Sequence, residues 1–553
     1  MPEAVKRLDG VVLTIDGRPL PPDLYPRVTL VRVEESVHLP DYFAIHLDDP
    51  HFEIFDKGTF TLGTKVDIAF RAEADPVVVT AGEITAVSVE PGGAGRHELV
   101  LTGFDLTHRM SREPKSRSFQ RLTDADIAGR IAGEYGLDAE VDATGAAHEY
   151  VLQAGETDYA FLRRRAARIG FDVWISDKKF YFKRSPRAAG SPPKLRYGEN
   201  LSRFSVRFSA AERCDEVQIR GWDQLGKEAI TGRGTRADPG TDAPAAQEMS
   251  DAAKRAFGTV KRNAGQFPVT DQAEADALAQ SLLYRASAEE AVLRGEAVGD
   301  PAIAAGATIQ IEGIGSRMTG GWRVTGVEHT YGAGRPYLTK FICGGKEPGG
   351  LADMTGGGGG GPGEQRGWTG LVVGVVTNND DPEKLGRVRV KFPTLSADDE
   401  SAWARIATPG GGKERGLEWL PEVDDEVLVG FELNDHTRPV VLGGLWNRTD
   451  GVPSAGAVSG GKVNQRLLVS RKDSRLLFND EDTPSITLSL GGTPCLLTLE
   501  KSESLLTGDQ KLVISAANIE VKASQKLALT GAQVDITASS GALTASGKPI
   551  RLN

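Results

Sequence analysis

The chain has 553 residues, 25% of them charged and 39% hydrophobic. That is the balance of a folded protein with room for roughly three or four domains, and it excludes wholesale disorder. A net charge of -11 and a pI near 5.5 exclude a general grip on nucleic acid or anionic membrane surfaces, and the scattered Cys214, Cys343 and Cys495 form neither a disulfide framework nor a paired-cysteine zinc site, which fits a reducing compartment.

At the N-terminus no apolar run follows Lys6 and Arg7, so no secretory signal is expected. The longest apolar run, Leu371 to Val376, is far short of the ~20 residues of a membrane helix. Strands are predicted at Val11 to Ile15, Lys65 to Phe70 and Leu99 to Phe104. Thr123 followed by Asp126 signals a helix start, with Ile127, Ile131 and Tyr135 on one face and Gly136 as the stop. A second helix covers Tyr159 to Ile169, with Leu162, Ala166 and Ile169 inward and Gly170 ending it. Its triplet Arg163, Arg164 and Arg165 reads as a solvated face rather than an anion site. Strands resume at Phe171 to Ile175 and Lys179 to Phe182. A second strand-rich block starts after Leu195, with a long helix over Asp271 to Ala291, and closes on Trp322 to Val327 and Tyr337 to Phe341. Two successive barrel-like blocks, 1–194 and 195–350, are the resulting division.

Gly356 to Gly361, followed by Pro362, reads as a flexible linker within 351–365, and no Lys-Ser/Thr follows to make it a phosphate loop. The block 366–450 has about five short strands. Arg387 to Phe392 alternates, placing Val388, Val390 and Phe392 on one face, and Asp381 to Gly386 supplies a tight turn. Five strands in this length predict a small OB-type barrel. A second Gly- and Ser-rich break, 451–462, leads to the tail, 463–553.

In the tail, apolar residues alternate in short bursts, including Ile486, Leu488 and Leu490, then Leu497 and Leu499. A period of eight aligns Val513, Val521, Leu529, Thr537 and Ala545, with Ser515, Ala523, Gly531, Ser539 and Gly547 as an all-small column. No aromatic follows Phe478, and no return path for a sheet within one chain is evident. The apolar stripe therefore has to be buried against other copies, with Ile519, Val521, Leu527, Leu529, Val534 and Ile536 as its interior.

Six segments of the middle block now stand together: Asp381-Pro382, Gly386 to Val390, Trp403 to Arg405, Leu420 to Val423, Glu426 to Phe431, and Arg438 to Gly443. In order and spacing they resemble the OB domain of the VgrG and phage baseplate hub–spike family of contractile injection systems. Tyr159 to Phe182 is similar to the hub of that family, as are Gly321 to Val324 with Val327, His329 and Tyr331. The resemblance implies a mainly β fold with a few helices: two tube-type β-barrel hub domains, an OB-fold barrel, and a C-terminal intertwined triple-stranded β-helix needle. It implies a homotrimeric central spike that caps a hexameric inner tube, contacts baseplate proteins and pierces a target envelope. It also implies a PAAR-type tip protein docked on Pro549, Ile550, Arg551, Leu552 and Asn553, and effector cargo. Synthesis and assembly would be cytoplasmic, with expulsion toward the target envelope and contact with its membrane only on firing. The turn Asn434-Asp435-His436-Thr437 departs from the family's usual Gly-Asp turn.

Catalysis is not expected: there is no Gly-x-Ser-x-Gly elbow and no His-Glu-x-x-His. No metal or cofactor site is expected either. The eight histidines are scattered, none lies after His436, and Asp480-Glu481-Asp482 and Asp424-Asp425 read as turns. The barrel counts ten Lys/Arg against fifteen Asp/Glu between Arg366 and Asp450, which opposes a nucleic-acid groove. Two rivals are a spike-borne cell-wall hydrolase, for which no spare segment is left between barrel and tail or after the repeat, and a receptor-binding tail adhesin, which calls for aromatic loops on the shaft.

Overall fold

A computed structural model gives the fold; it describes residues 10–71, 75–92, 96–176, 179–184, 191–223, 226–264, 267–269, 271–332, 334–345, 370–394, 399–491, 496–508 and 510–549. The chain divides into two compact units, Met1–Leu445 and Trp446–Asn553. The glycine run 356–361 and Cys495 lie outside the described residues.

The first unit is organised by one thirteen-stranded sheet. Its main path runs Leu201–Phe208, Ala291–Val298, Arg335–Cys343, Gly320–Gly332, Val28–Ser36, Tyr42–Asp48, His97–Asp105, Val77–Pro91, Lys65–Phe70, Val11–Ile15 and Arg18–Pro19. The two barrel-like blocks are thus halves of one sheet. They join where Gly320–Gly332 pairs antiparallel with Val28–Ser36, His329 opposite Val33. Alternating apolar residues build a separate core on each side of that seam: Leu13, Val31, Phe43, Ile45 and Leu101 in one, Leu293, Ile309, Trp322 and Val324 in the other.

Two helical lobes stand on this sheet. In the first, Thr123 caps the helix Asp124–Glu134 reciprocally with Asp126, and the helix Asp158–Ile169 ends on a left-handed Gly170. Both helices bury their apolar face with Phe119, Phe180 and Phe182. In the second, the helix Gln272–Ser287 packs on the hairpin Glu216–Asp223 and Glu228–Gly234. This approach requires glycine, since a Cβ on Gly232 would collide with the backbone of Ala275, and one on Gly234 with that of Ala279. The helix is shorter than Asp271 to Ala291 because Ala291 opens the strand Ala291–Val298. A further helix, Pro244–Phe257, was not expected from the sequence; its inward residues are only alanines, a weak periodic signal, although Pro244 sits at its first position.

The arginine triplet corrects the sequence expectation of a solvated face. Arg165 is buried and donates to Asp124 at 2.6 Å, Arg164 forks onto Glu156 at 2.8 and 2.9 Å, and Arg163 lies over the ring of Tyr159. The helix bearing them is wedged between neighbours, so its polar side faces protein rather than water.

The OB block forms a five-stranded sheet in the order Arg389–Lys391, Val372–Asn378, Glu426–Phe431, Pro439–Gly444, Arg405–Ile406. A bridge between Val388 and Ala404 brings the two ends together, closing the barrel around Val376, Val388, Val390, Phe392, Val427, Val429 and Val441. The predicted turn is pinned by Asp381, whose carboxylate accepts from the backbone N–H groups of Glu383, Leu385 and Arg387 and from the Arg387 guanidinium at 2.8 and 3.0 Å. Those bonds to Arg387, with the backbone donors, hold its carboxyl far below the usual carboxylate range.

In the second unit, five strands, Gln465–Val469, Arg475–Asn479, Ser485–Ser489, Leu496–Glu500 and Ser504–Thr507, form an antiparallel meander. This differs from the expectation that one chain offers no return path. The first reversal, between Val469 and Arg475, has Asp473 at positive φ. Residues 510–549 carry no strand within the single chain.

Candidate functional site

The strand register of the tail decides which side chains share a face. Leu468, Leu476, Leu488, Leu497 and Leu506 lie opposite one another across all five strands, and Phe478, Ile486 and Leu499 form the next row on the same face. The other face is mixed: Leu467, Leu477 and Leu505 share its central row with Thr487 and Thr498, and Val469, Arg475, Ser489 and Leu496 stand in the row beside it. One side of the five-stranded sheet is therefore mostly Leu, Ile and Phe, with Arg466 and Ser504 at the ends of the second row, and it is not covered: Leu468 and Leu488 are each 48% exposed, Leu506 51%. An open apolar face of this kind marks a surface that meets a partner.

Beyond the meander the same character continues without intrachain pairing. Ile519, Val521, Leu527, Leu529, Val534 and Ile536 are all more than half exposed. The structure of one chain thus brings none of these six into a core. Pro549 is exposed, and Ile550, Arg551, Leu552 and Asn553 lie outside the described residues. The meander rows were legible only as bursts of alternation; the register that aligns them into one face is a tertiary property.

In the first unit, the polar groups gather where hub and barrel meet. Ser118 donates from its N–H and hydroxyl to the Asp399 carboxylate at 3.0 and 2.7 Å, and the Tyr150 hydroxyl donates to the Glu400 carbonyl at 2.7 Å. From the barrel side, Arg438 donates to the carbonyls of Trp222 and Val269 at 3.1 and 3.4 Å. The unusual turn seen in the sequence sits at this junction: Asp435 and His436 are buried, and burial holds the His436 imidazole below its ordinary value. Behind the junction, Asp124 accepts from Arg165 and contacts His148 at 3.1 Å. Burial pushes its carboxyl up, but the Arg165 guanidinium and the His148 contact outweigh this and leave it far below the usual range. Asp158 is likewise held down against its burial by Lys115, Gln153, Tyr135 and Arg117. These carboxylates are saturated with donors, the chemistry of a rigid joint rather than of proton transfer.

A cavity of about 500 Å³ lined by Lys65, Glu83, Arg109 and Tyr135 lies in the hub. Its buried Glu83 is fully engaged, by Arg109 at 2.6 and 2.7 Å and by His108 at 3.1 Å. Among the described residues, no group of three His, Cys, Asp or Glu is placed to hold a metal ion, and no helix is long and apolar enough to cross a membrane.

A hub of two half-barrels, a closed OB barrel and an uncovered apolar tail together define a VgrG-like hub–spike protein. Two family models match the chain. The model of the Alg8 N-terminal domain matches residues 13–332, more than half of the chain, and the chain belongs to that family. The model of the type VI secretion system/phage-baseplate injector OB domain matches residues 372–446. The type VI secretion system spike protein VgrG5 of Pseudomonas aeruginosa is 38% identical over 89 residues, 15% of this chain and 11% of the relative. VgrG3 of Vibrio cholerae is 32% identical over 88 residues, 15% of this chain and 9% of the relative. The matched stretches thus span only about a tenth of those relatives. A chain of the Francisella PdpA-VgrG complex, 8% identical, aligns over 91% of this chain and 88% of its own with a TM-score of 0.54, a likeness of fold.

Proposed function

We propose that this protein is the non-enzymatic, homotrimeric hub–spike at the tip of a contractile injection machine. The observation that carries this reading is the uncovered apolar face of the tail, in a chain whose hub and barrel each close an apolar core of their own. Three copies would bury that face and the stripe from Ile519 to Ile536 together, making a stiff needle whose strand edges are all paired between chains. The two half-barrels per chain, taken three times, match the sixfold symmetry of a hexameric inner tube, so the hub caps the tube while the tail tapers. Baseplate proteins surround the hub, and a PAAR-type protein docks on Pro549 to Asn553, with effector cargo carried at the tip. The chain is made and assembled in the cytoplasm and driven toward the target envelope on contraction.

The test is the solution mass of the purified chain by light scattering. The expected value is about three times 59.0 kDa, persisting in moderate denaturant. A folded single chain would overturn the reading.

A further inference from the structure

The joint between hub and barrel is polar. The barrel core and the hub cores have no residue in common. Hydrogen bonds cross the joint instead, from Ser118 to Asp399, from Tyr150 to Glu400, and from Arg438 to the carbonyls of Trp222 and Val269. The turn Glu432 to Arg438 enters this joint with a strained backbone. Leu433 and Asn434, neither of them glycine, both take left-handed conformations, at φ 52° and 60°. The shape is held from within: the Asp435 carboxylate accepts from the N–H and hydroxyl of Thr437 at 2.9 and 2.8 Å, and Glu432 N–H donates to the Arg438 carbonyl at 3.1 Å. A joint that stores strain and shares no apolar core with its neighbour opens more readily than either core.

His436 sits in this turn, 8% exposed, with its ring edge-on to Phe431 and the centroids 5.1 Å apart. The charged groups that face it come from both sides of the joint. Asp435 stands beside it on the turn, while Glu156 on the hub strand His148–Thr157 and Arg164 on the helix Asp158–Ile169 stand across from it. Arg164 and Glu156 are already forked onto each other, so neither is free to neutralise a new charge. Asp435 and Glu274 in turn face Arg165, which is bonded to Asp124. Further off, Arg438 pairs with Glu432 at 3.6 Å, and Asp399, Glu400 and Arg389 gather around Tyr150. Burial is the main cause that disfavours the His436 imidazolium; Asp435 pulls the other way, Arg164 adds repulsion, and Glu156 opposes it.

We propose that the His436 turn is an acid-sensitive latch, closed while the imidazole is neutral and loosened when it takes a proton, so that acid frees the barrel from the hub. An opened joint binds the proton at the ordinary imidazole value, about 6.5, and the closed joint only at lower pH. Closure is therefore at full strength above about pH 6.5 and weakens as pH falls toward the closed-state value. Asp124 and Asp381, held far below the usual carboxylate range, keep their charge through that window, and burial pushes the Tyr150 phenol up, so it stays a neutral donor. The latch lies within one chain and does not depend on the trimer.

The test is amide hydrogen exchange of the full chain from about pH 8 to about pH 5, read on the segment that contains Ser118. The Ser118 N–H is bonded to Asp399 across the joint, so its protection, corrected for the intrinsic rate at each pH, reports closure. Protection is expected to fall several-fold with falling pH in the native chain and to stay level in His436→Gln. Arg164→Gln, which removes the repelling charge and releases Glu156, is expected to shrink the fall, and Glu156→Gln to enlarge it. Those opposite signs decide even where His436→Gln fails to fold: falls of equal size in the two charge variants overturn the latch. So does level protection in the native chain, or an undiminished fall in His436→Gln. A fall lost only in His148→Gln moves the proton to that histidine, 3.1 Å from Asp124, and overturns the latch as well.

Discussion

The barrel and the tail are both β structures, but they bury their apolar residues in opposite ways. In the barrel, five strands close on themselves, and Val388, Val390 and Val427 reach zero exposure inside a single chain. In the tail, five strands of four or five residues form an open meander, and Leu468, Leu488 and Leu506 remain about half exposed. The difference is closure. The Val388–Ala404 bridge joins the barrel's ends, whereas the meander has two free edges and one open face. A domain of the first kind carries its stability with it; one of the second kind obtains it from copies.

The largest effect that would break this comparison is in the tail. Changing Leu527 and Leu529 together to Asp is expected to abolish the trimer, because each new charge would be buried beside its symmetry copies. Light scattering reads the loss as a drop from three chains to one, and a double variant that keeps its mass removes these residues from the interior.

A smaller effect should be confined to the hub. Arg165→Met leaves Asp124 buried without its guanidinium and is expected to cost about 3 kcal/mol of hub stability, with the mass unchanged. The acid limb gives the sign. A carboxyl held below its unfolded value adds stability above an unfolded pKa of about 3.9, and that contribution is lost as pH falls through the folded value. In the Arg165→Met variant the acid transition of the hub moves to higher pH, as read by circular dichroism melts across pH; an unmoved acid limb would assign that limb to other carboxylates.

Local features of the fold were legible in the residues. The alternation of Val388, Val390 and Phe392 names the barrel's inner face, and Thr123 with Asp126 forms the capping box it spells. Gly170 ends its helix in the left-handed conformation for which glycine is suited. What escaped depends on distance along the chain. Arg165 finds Asp124 41 residues away, and the seam between the half-barrels pairs Glu35 with Val327. The open face of the tail was half legible: the alternation of Ile486 and Leu488 was plain, but it is antiparallel register that aligns Ile486 with Phe478 and Leu499, and Leu488 with Leu476 and Leu497.

The most direct measurement of the central claim is amide hydrogen exchange over residues 511–549 in the full chain. Among the described residues, this segment makes no backbone hydrogen bonds within its own strand pairs, so protection there has to come from other copies. The account predicts exchange as slow as in the barrel strand Glu426–Phe431. Complete exchange within seconds, in protein whose hub is folded, would contradict it.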